Sequence, residues 1–149
     1  MDNQRKILIE QKFKELEIKN YFKKFSSISF IDFEYENSVW YKKFYNELKK
    51  YNNIYSIHDI TKPLSLTKNE IMVFLLEYLA VFNDETEFLI PVIDRLANVK
   101  VESFEKAISE LWKPYSNLGV DIVMASKKQK KMFHIFESEY EYEIYMSTL

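Results

Sequence analysis

Apolar residues recur at helical spacing along most of this chain. In "VWYKKFYNELKKY" Tyr41, Phe44, Leu48 and Tyr51 share one face, and Lys42, Lys43, Lys49 and Lys50 take the wet side. Asn37 or Ser38 can cap that helix, expected over 38–51. "TKNE" at 67–70 is a capping box: the Thr67 side chain can accept from the third backbone N–H while Glu70 reaches back. It opens "IMVFLLEYLAVF", apolar nearly all round, which predicts a central buried helix over 68–82. "DETE" at 84–87 repeats the capping pattern and predicts a helix over 85–98, kinked at Pro91 or starting near Ile90. Ser103 caps "FEKAISELW", whose Phe104, Ala107, Ile108 and Leu111 form one face of a helix over 103–113, stopped by Pro114. Short links between successive helices imply antiparallel neighbours.

Other stretches depart from this rule. From 7 to 25 the pattern is helical but double: Ile9, Phe13 and Leu16 lie on one side, and Ile18, Phe22 and Phe25 on roughly the opposite one. Such a helix either breaks near Asn20 or is clasped on both sides. "SISFIDFEYE" alternates from Ile31, setting Ile31, Phe33 and Tyr35 against Asp32, Glu34 and Glu36, as a short strand or extended packed loop would. The loop before Thr67 has room for an extended piece at 54–57.

The segment "ESEYEYEIY" at 137–145 sets Glu139, Glu141 and Glu143 against Tyr140, Tyr142 and Ile144. It has two accounts. In a helix opened by Asp121 after Gly119, Ile122, Ala125, Gln129, Phe133, Phe136, Tyr140 and Ile144 stay on one side. The charges then run against the helix dipole, and the Tyr and Ile content favours a strand. Gly119 is the only glycine, with no Asn-Gly, Asp-Gly or Gly-Gly step to close a tight hairpin. That scarcity predicts helix through about Phe136 and leaves 132–149 open between helix and a strand paired with 28–36. The expected fold is a single mostly α domain over 1–149, a compact set of antiparallel helices with a small two-stranded element (28–36 with 139–145) as its one possible sheet.

The stretch "LIPVIDRLANVKVESFEKAISELW" at 89–112 resembles the junction of two HEAT-type helical repeats, with Leu-Ile-Pro opening one helix and Phe, Ala and Leu at core spacing in the next. "NEIMVFLLEYLAVFN" would supply the preceding helix, so the resemblance covers about one repeat, residues 71–113. It implies a protein-binding scaffold.

Composition narrows function by exclusion. At 149 residues and 47% hydrophobic the chain can close one core. A formal net charge of -2 creates no field to gather nucleic acid or anionic lipid, and Arg5 and Arg95 are the only arginines. Richness in Lys, Asn, Ile, Phe and Tyr is what an AT-rich coding sequence gives, as in a low-GC bacterium, a phage or a mobile element. Cysteine is absent, which removes disulfides and thiolate chemistry. The opening "MDNQRKILIEQKFKEL" lacks a signal-peptide core and "IMVFLL" is too short to span a bilayer, so a cytoplasmic address is expected.

With a single glycine, no P-loop, dinucleotide fingerprint or nucleophile elbow can be written onto the chain. His58-Asp59 lacks the upstream histidine of a metal-dependent phosphohydrolase and reads as a turn; His134 in "MFHIF" reads as a partly buried aromatic neighbour. "KKQKK" at 127–131 is followed by acids and reads as a solvated helix face. No catalytic, cofactor or metal residue is assigned. Asp32, Glu34, Glu36, Glu139, Tyr140, Glu141, Tyr142 and Glu143 are the candidate partner-binding residues, an acidic aromatic surface suited to a basic protein. The expected function is non-enzymatic protein binding, most specifically a small intracellular inhibitor. The alternatives are a nucleic-acid-associated regulator using the Lys-rich helices and, behind it, a carboxylate- or metal-dependent enzyme.

Overall fold

A computed structural model describes residues 2–51, 58–112 and 119–149. From 87 to 101 the side chains alternate across a sheet instead of winding around a helix. Phe88, Ile90 and Val92 point to one face together with Ala97, Val99 and Val101, and Leu89 and Leu96 point to the other. The helix expected over 85–98 is thus a hairpin of β3 (Glu87–Val92) and β4 (Arg95–Val101). In a two-residue hairpin the pair flanking the turn is hydrogen-bonded, so Pro91, one step further, turns its nitrogen away from β4. On that other side β3 meets β5 (Asp121–Ser126) only at Leu89–Ala125, so no ladder bond is lost.

The remaining elements are α1 (Asn3–Phe22), β1 (Ile28–Glu34), α2 (Val39–Tyr51), β2 (Ile60–Pro63), α3 (Lys68–Tyr78), a 3-10 turn (Ala80–Phe82), α4 (Phe104–Leu111), β6 (Lys131–Glu137) and β7 (Glu141–Thr148). All strand pairs are antiparallel in a seven-stranded sheet ordered β1-β4-β3-β5-β6-β7-β2. The fold is mixed α/β, and the mostly α, all-alpha expectation is wrong. The described part of 71–113 holds most of α3, the 3-10 turn, a hairpin and α4, so no HEAT-like repeat is found among these residues. Residues 121–148 form a three-stranded meander, not a helix through Phe136. The segments 28–36 and 139–145 do not pair: five inter-strand steps, about 24 Å, separate β1 from β7.

Cap signals in the sequence are the ones that hold. Ser38 Oγ accepts from Tyr41 N at 3.0 Å, Thr67 and Glu70 make the reciprocal capping box, and Ser103 accepts from Lys106 N. α1 runs unbroken through Asn20 but is clasped on one side only: Ile18 and Phe22 are buried, while Ile9, Phe13 and Leu16 are exposed. The extended piece expected at 54–57 and the stop at Pro114 lie outside the described residues.

Both sheet faces are covered. One carries α1, α3, α4 and the 3-10 turn, with Phe82 at the centre, its ring 5.0 Å from Phe133, 5.8 Å from Phe104 and 6.1 Å from Phe88. The other carries α2, whose fully buried Phe44 packs with Leu89, Leu96, Ala125 and Met132. The Glu110 carboxylate ties α4 to the α1–β1 connection, accepting from Ser26 N (2.9 Å), Ser27 N (2.7 Å) and both serine hydroxyls. Burial pushes its pKa up, but these bonds outweigh burial and hold it below the ordinary 4.5.

Phe44→Ala should cost about 3–5 kcal/mol in denaturant unfolding, against less than about 0.5 kcal/mol for the exposed Val73→Ala. Because the folded-state pKa of Glu110 lies below its unfolded value, its contribution is complete above about pH 4.5 and is lost as pH falls through the depressed value. Glu110→Gln should destabilise at neutral pH by up to about 1 kcal/mol, solvent screening of the carboxylate limiting the loss, and flatten the acid limb of the stability curve below pH 4.5.

Candidate functional site

Edge strand β1 carries a bulge that decides where its acids point. Its register to β4 shifts between Phe30 and Asp32, leaving Ile31 unpaired and setting Asp32 opposite Asn98. Phe30 and Phe33 consequently face the main core, while Asp32 and Glu34 lie with Asn98 toward the α2 side. Ile31 and Tyr35, expected to share the apolar side with Phe33, are exposed.

The four residues between β5 and β6 bring the lysine block onto these acids. Lys127 to Lys130 form a turn, with Lys130 at φ +54° and Ser126 Oγ accepting from Gln129 N at 3.1 Å; they are not a helix face. The Lys127 ammonium pairs with Glu34, and Asn98 Nδ2 donates to Asp32 Oδ1 (2.7 Å) and Glu34 Oε1 (3.3 Å). Gln129 Nε2 donates to the buried Glu85 at 2.7 Å, and Lys128 approaches Glu85 at 3.9 Å. Asp32, Glu34, Glu85, Asn98, Lys127 and Lys128 line an open cleft of about 650 Å³ together with exposed Asp84 and Glu87.

Burial pushes the Glu34 pKa up, yet hydrogen bonds from Lys127, Ser38 and Asn98 and the Lys127 charge bring it below 4.5. A carboxyl held ionised in this way is poorly suited to general-acid catalysis, which needs the opposite shift. Glu85 is committed to Gln129 and Lys128, and Asp32 and Glu34 accept from Asn98, so the cleft sets partnered acids beside the exposed Asp84 and Glu87. Among the described residues no group of three or more His, Cys, Asp or Glu side chains is arranged to hold a metal ion. The arrangement is suited to recognising charge.

The eight candidate residues divide between two places. Asp32, Glu34 and Glu36 lie at the β1 edge and the turn beyond it. Glu139 and Tyr140 are exposed in the β6–β7 turn, and Glu141 and Glu143 are half-buried on β7. Tyr142 is a core residue, its ring 5.4 Å from that of Trp112, with burial first and then Glu137 pushing its phenol pKa up. Sequence reasoning missed Glu85, read as part of a helix cap, and Asn98, read as helical.

The histidines serve β6 and β7. His134 is buried with its ring between 5.8 and 5.9 Å from Tyr145, Tyr51 and Phe136, and its Nε2 lies 2.6 Å from Asp121 Oδ1. Its Nδ1 makes no hydrogen bond among the described residues. Ser147 bonds the Tyr51 hydroxyl and neither ring nitrogen, so no serine–histidine pair forms there. His58 lies 3.6 Å from Glu143, while Asp59 N donates to Ile144 O and Asp59 Oδ2 accepts from Met146 N, fastening β2 to β7.

Lys127→Met should raise the pKa of the Glu34 carboxyl, read from its side-chain carbon shift in an NMR titration, and Lys128→Met should leave it in place. Comparison of the chain with protein-family models, with curated proteins and with solved structures finds no match.

Proposed function

We propose that this protein acts by binding another protein at the acidic cleft and the β1 edge, without chemistry of its own. The observation that carries the reading is the meeting there of the carboxylates Asp32, Asp84 and Glu87 with exposed Ile31 in the cleft lining, and exposed Tyr35 follows directly after the end of β1. Aromatic and aliphatic groups supply contact area, and an acidic rim steers a basic surface and rejects acidic ones. The bulge at Ile31 spoils β1 as a template for strand addition, so side chains are the natural means of contact.

A small intracellular inhibitor is the specific form of this reading: a toxin immunity protein, or a phage or mobile-element protein that blocks a host or defence factor. The basic active site of a nuclease is the kind of surface that such a cleft complements. A cytoplasmic address belongs to the proposal and is motivated by the absence of cysteine. Among the described residues no helix is long and apolar enough to cross a membrane. Exposed Lys42, Lys43, Lys49 and Lys50 on α2 support the second reading, nucleic-acid association, against which stands the engagement of Lys127 and Lys128 with Glu34 and Glu85.

The test is affinity capture from the native host with mass spectrometry, using wild type and two charge-reversed triples. Asp32→Lys/Glu36→Lys/Glu87→Lys should lose a basic partner that wild type retains, with the thermal midpoint within about 3 °C. Glu139→Lys/Glu141→Lys/Glu143→Lys should keep that partner. Loss with the second triple alone would move the interface to β7, and a steeply salt-dependent mobility shift with nucleic acid, lost in the α2 lysine variants, would favour the second reading.

A further inference from the structure

The outer side of α1 carries a heptad pattern that the fold of one chain does not use. With Ile9 and Leu16 at d, Lys6, Phe13 and Asn20 fall at a, and all five are exposed. The g positions are then Arg5, Lys12 and Lys19, all basic, and the e positions within the charged part of the helix are Glu10 and Glu17, both acidic. The charges on the sheet-facing side are already spoken for, Lys14 with Asp94 at 2.8 Å and Glu15 with Arg95 at 3.7 Å. Arg5, Glu10, Lys12 and Glu17 are exposed and form no ion pair among the described residues.

The β3–β4 turn adds a second observation. Ile93 closes it at φ +58°, a conformation that a β-branched residue rarely adopts and that Gly would take without strain. Its side chain is nevertheless 65% exposed. With Pro91 and Val92 it walls an open groove of about 820 Å³, whose other side is Phe13, Leu16 and Asn20. The turn therefore sets an apolar knob beside the unused seam.

We infer that α1 is a homodimerisation helix that packs in parallel against α1 of a second copy, with Ile93 flanking the seam. Charge selects both partner and direction. In a parallel pair each g position meets the e position five residues further along the other helix, so Arg5 of one copy faces Glu10 of the other and Lys12 faces Glu17. An antiparallel pair sets g against g and e against e, so basic meets basic and acid meets acid. Lys19 would meet Lys24, but Lys24 follows the helix end at Phe22 and lies over the Tyr21 ring. Asn20 at an a position adds a register and parallel-dimer preference.

Sedimentation of the full chain across about 1–300 µM should show the mass doubling as concentration rises. Phe13→Asp should stay monomeric throughout. Ile93→Gly separates association from folding: it should raise the thermal midpoint of dilute monomer, by relieving the turn, and weaken the dimer about tenfold. Direction is read from single cysteines in a chain that has none. Lys6→Cys and Asn20→Cys, both at a, should each form a disulfide with their own copy under mild oxidation, because a positions face one another in a parallel pair. A monomer at all concentrations, or crosslinking only when the two cysteine variants are mixed, overturns the inference.

Discussion

The central strands β3, β5 and β6 are apolar on both faces, and neither face can be left to water. Phe88, Ile90, Met124 and Phe133 demand cover on one side, and Leu89, Ala125 and Met132 on the other. Three helices and the 3-10 turn meet the first demand. Among the described residues α2 alone meets the second, and it is about 20 Å long against a sheet about 29 Å wide. The second face therefore has to become polar where α2 stops. At one end Asn98, Asp32 and Glu34 take over; at the other Tyr51 closes over His134, Tyr145 and Ser147. The acidic cleft is thus a consequence of a sheet wider than its cover.

That constraint also explains what the sequence could reveal. Helix starts are set by contacts within four residues, so the caps at Ser38, Thr67 and Ser103 are legible. A strand buried on both faces has no alternation to display. "FLIPVIDRLANV" is nearly continuous in apolar residues, and such a run fits a buried helix as well as a hairpin. Turn chemistry would normally decide between them, but here the hairpins close on Ile93 and Lys130, neither a residue that marks a positive φ. The helical misreading and the HEAT resemblance share this cause.

The candidate site was half legible for a related reason. Alternation marks 28–36 as extended and leaves 132–149 open between helix and strand, and it misses the partners of both because pairing is set by contacts far along the chain. Asp32 and Glu34 could be picked out, whereas Glu85, Asn98 and Lys127 reach them from other strands and turns. Lys127 and Lys128 of the lysine block do meet acids, but not the ones next to it in sequence. The acids they meet are Glu34 and Glu85, distant in sequence, and not the neighbouring "ESEYEYE".

Among the described residues, both positive-φ residues that are not glycine sit at hairpin tips, and the two tips differ in what they hold. Lys130 closes the turn that keeps Lys127 over Glu34 and Gln129 on Glu85, so its backbone conformation is over-determined by hydrogen bonds and ion pairs within the chain. The Ile93 tip has Lys14–Asp94 and Arg95–Glu15 on its flanks, but the isoleucine side chain itself points to solvent. Those ion pairs fix where the tip lies; they do not require a β-branched residue at its strained position. Local rules and the single-chain fold agree nearly everywhere else along β3 and β4, and a departure that the fold itself does not need is where a second molecule becomes the physical explanation.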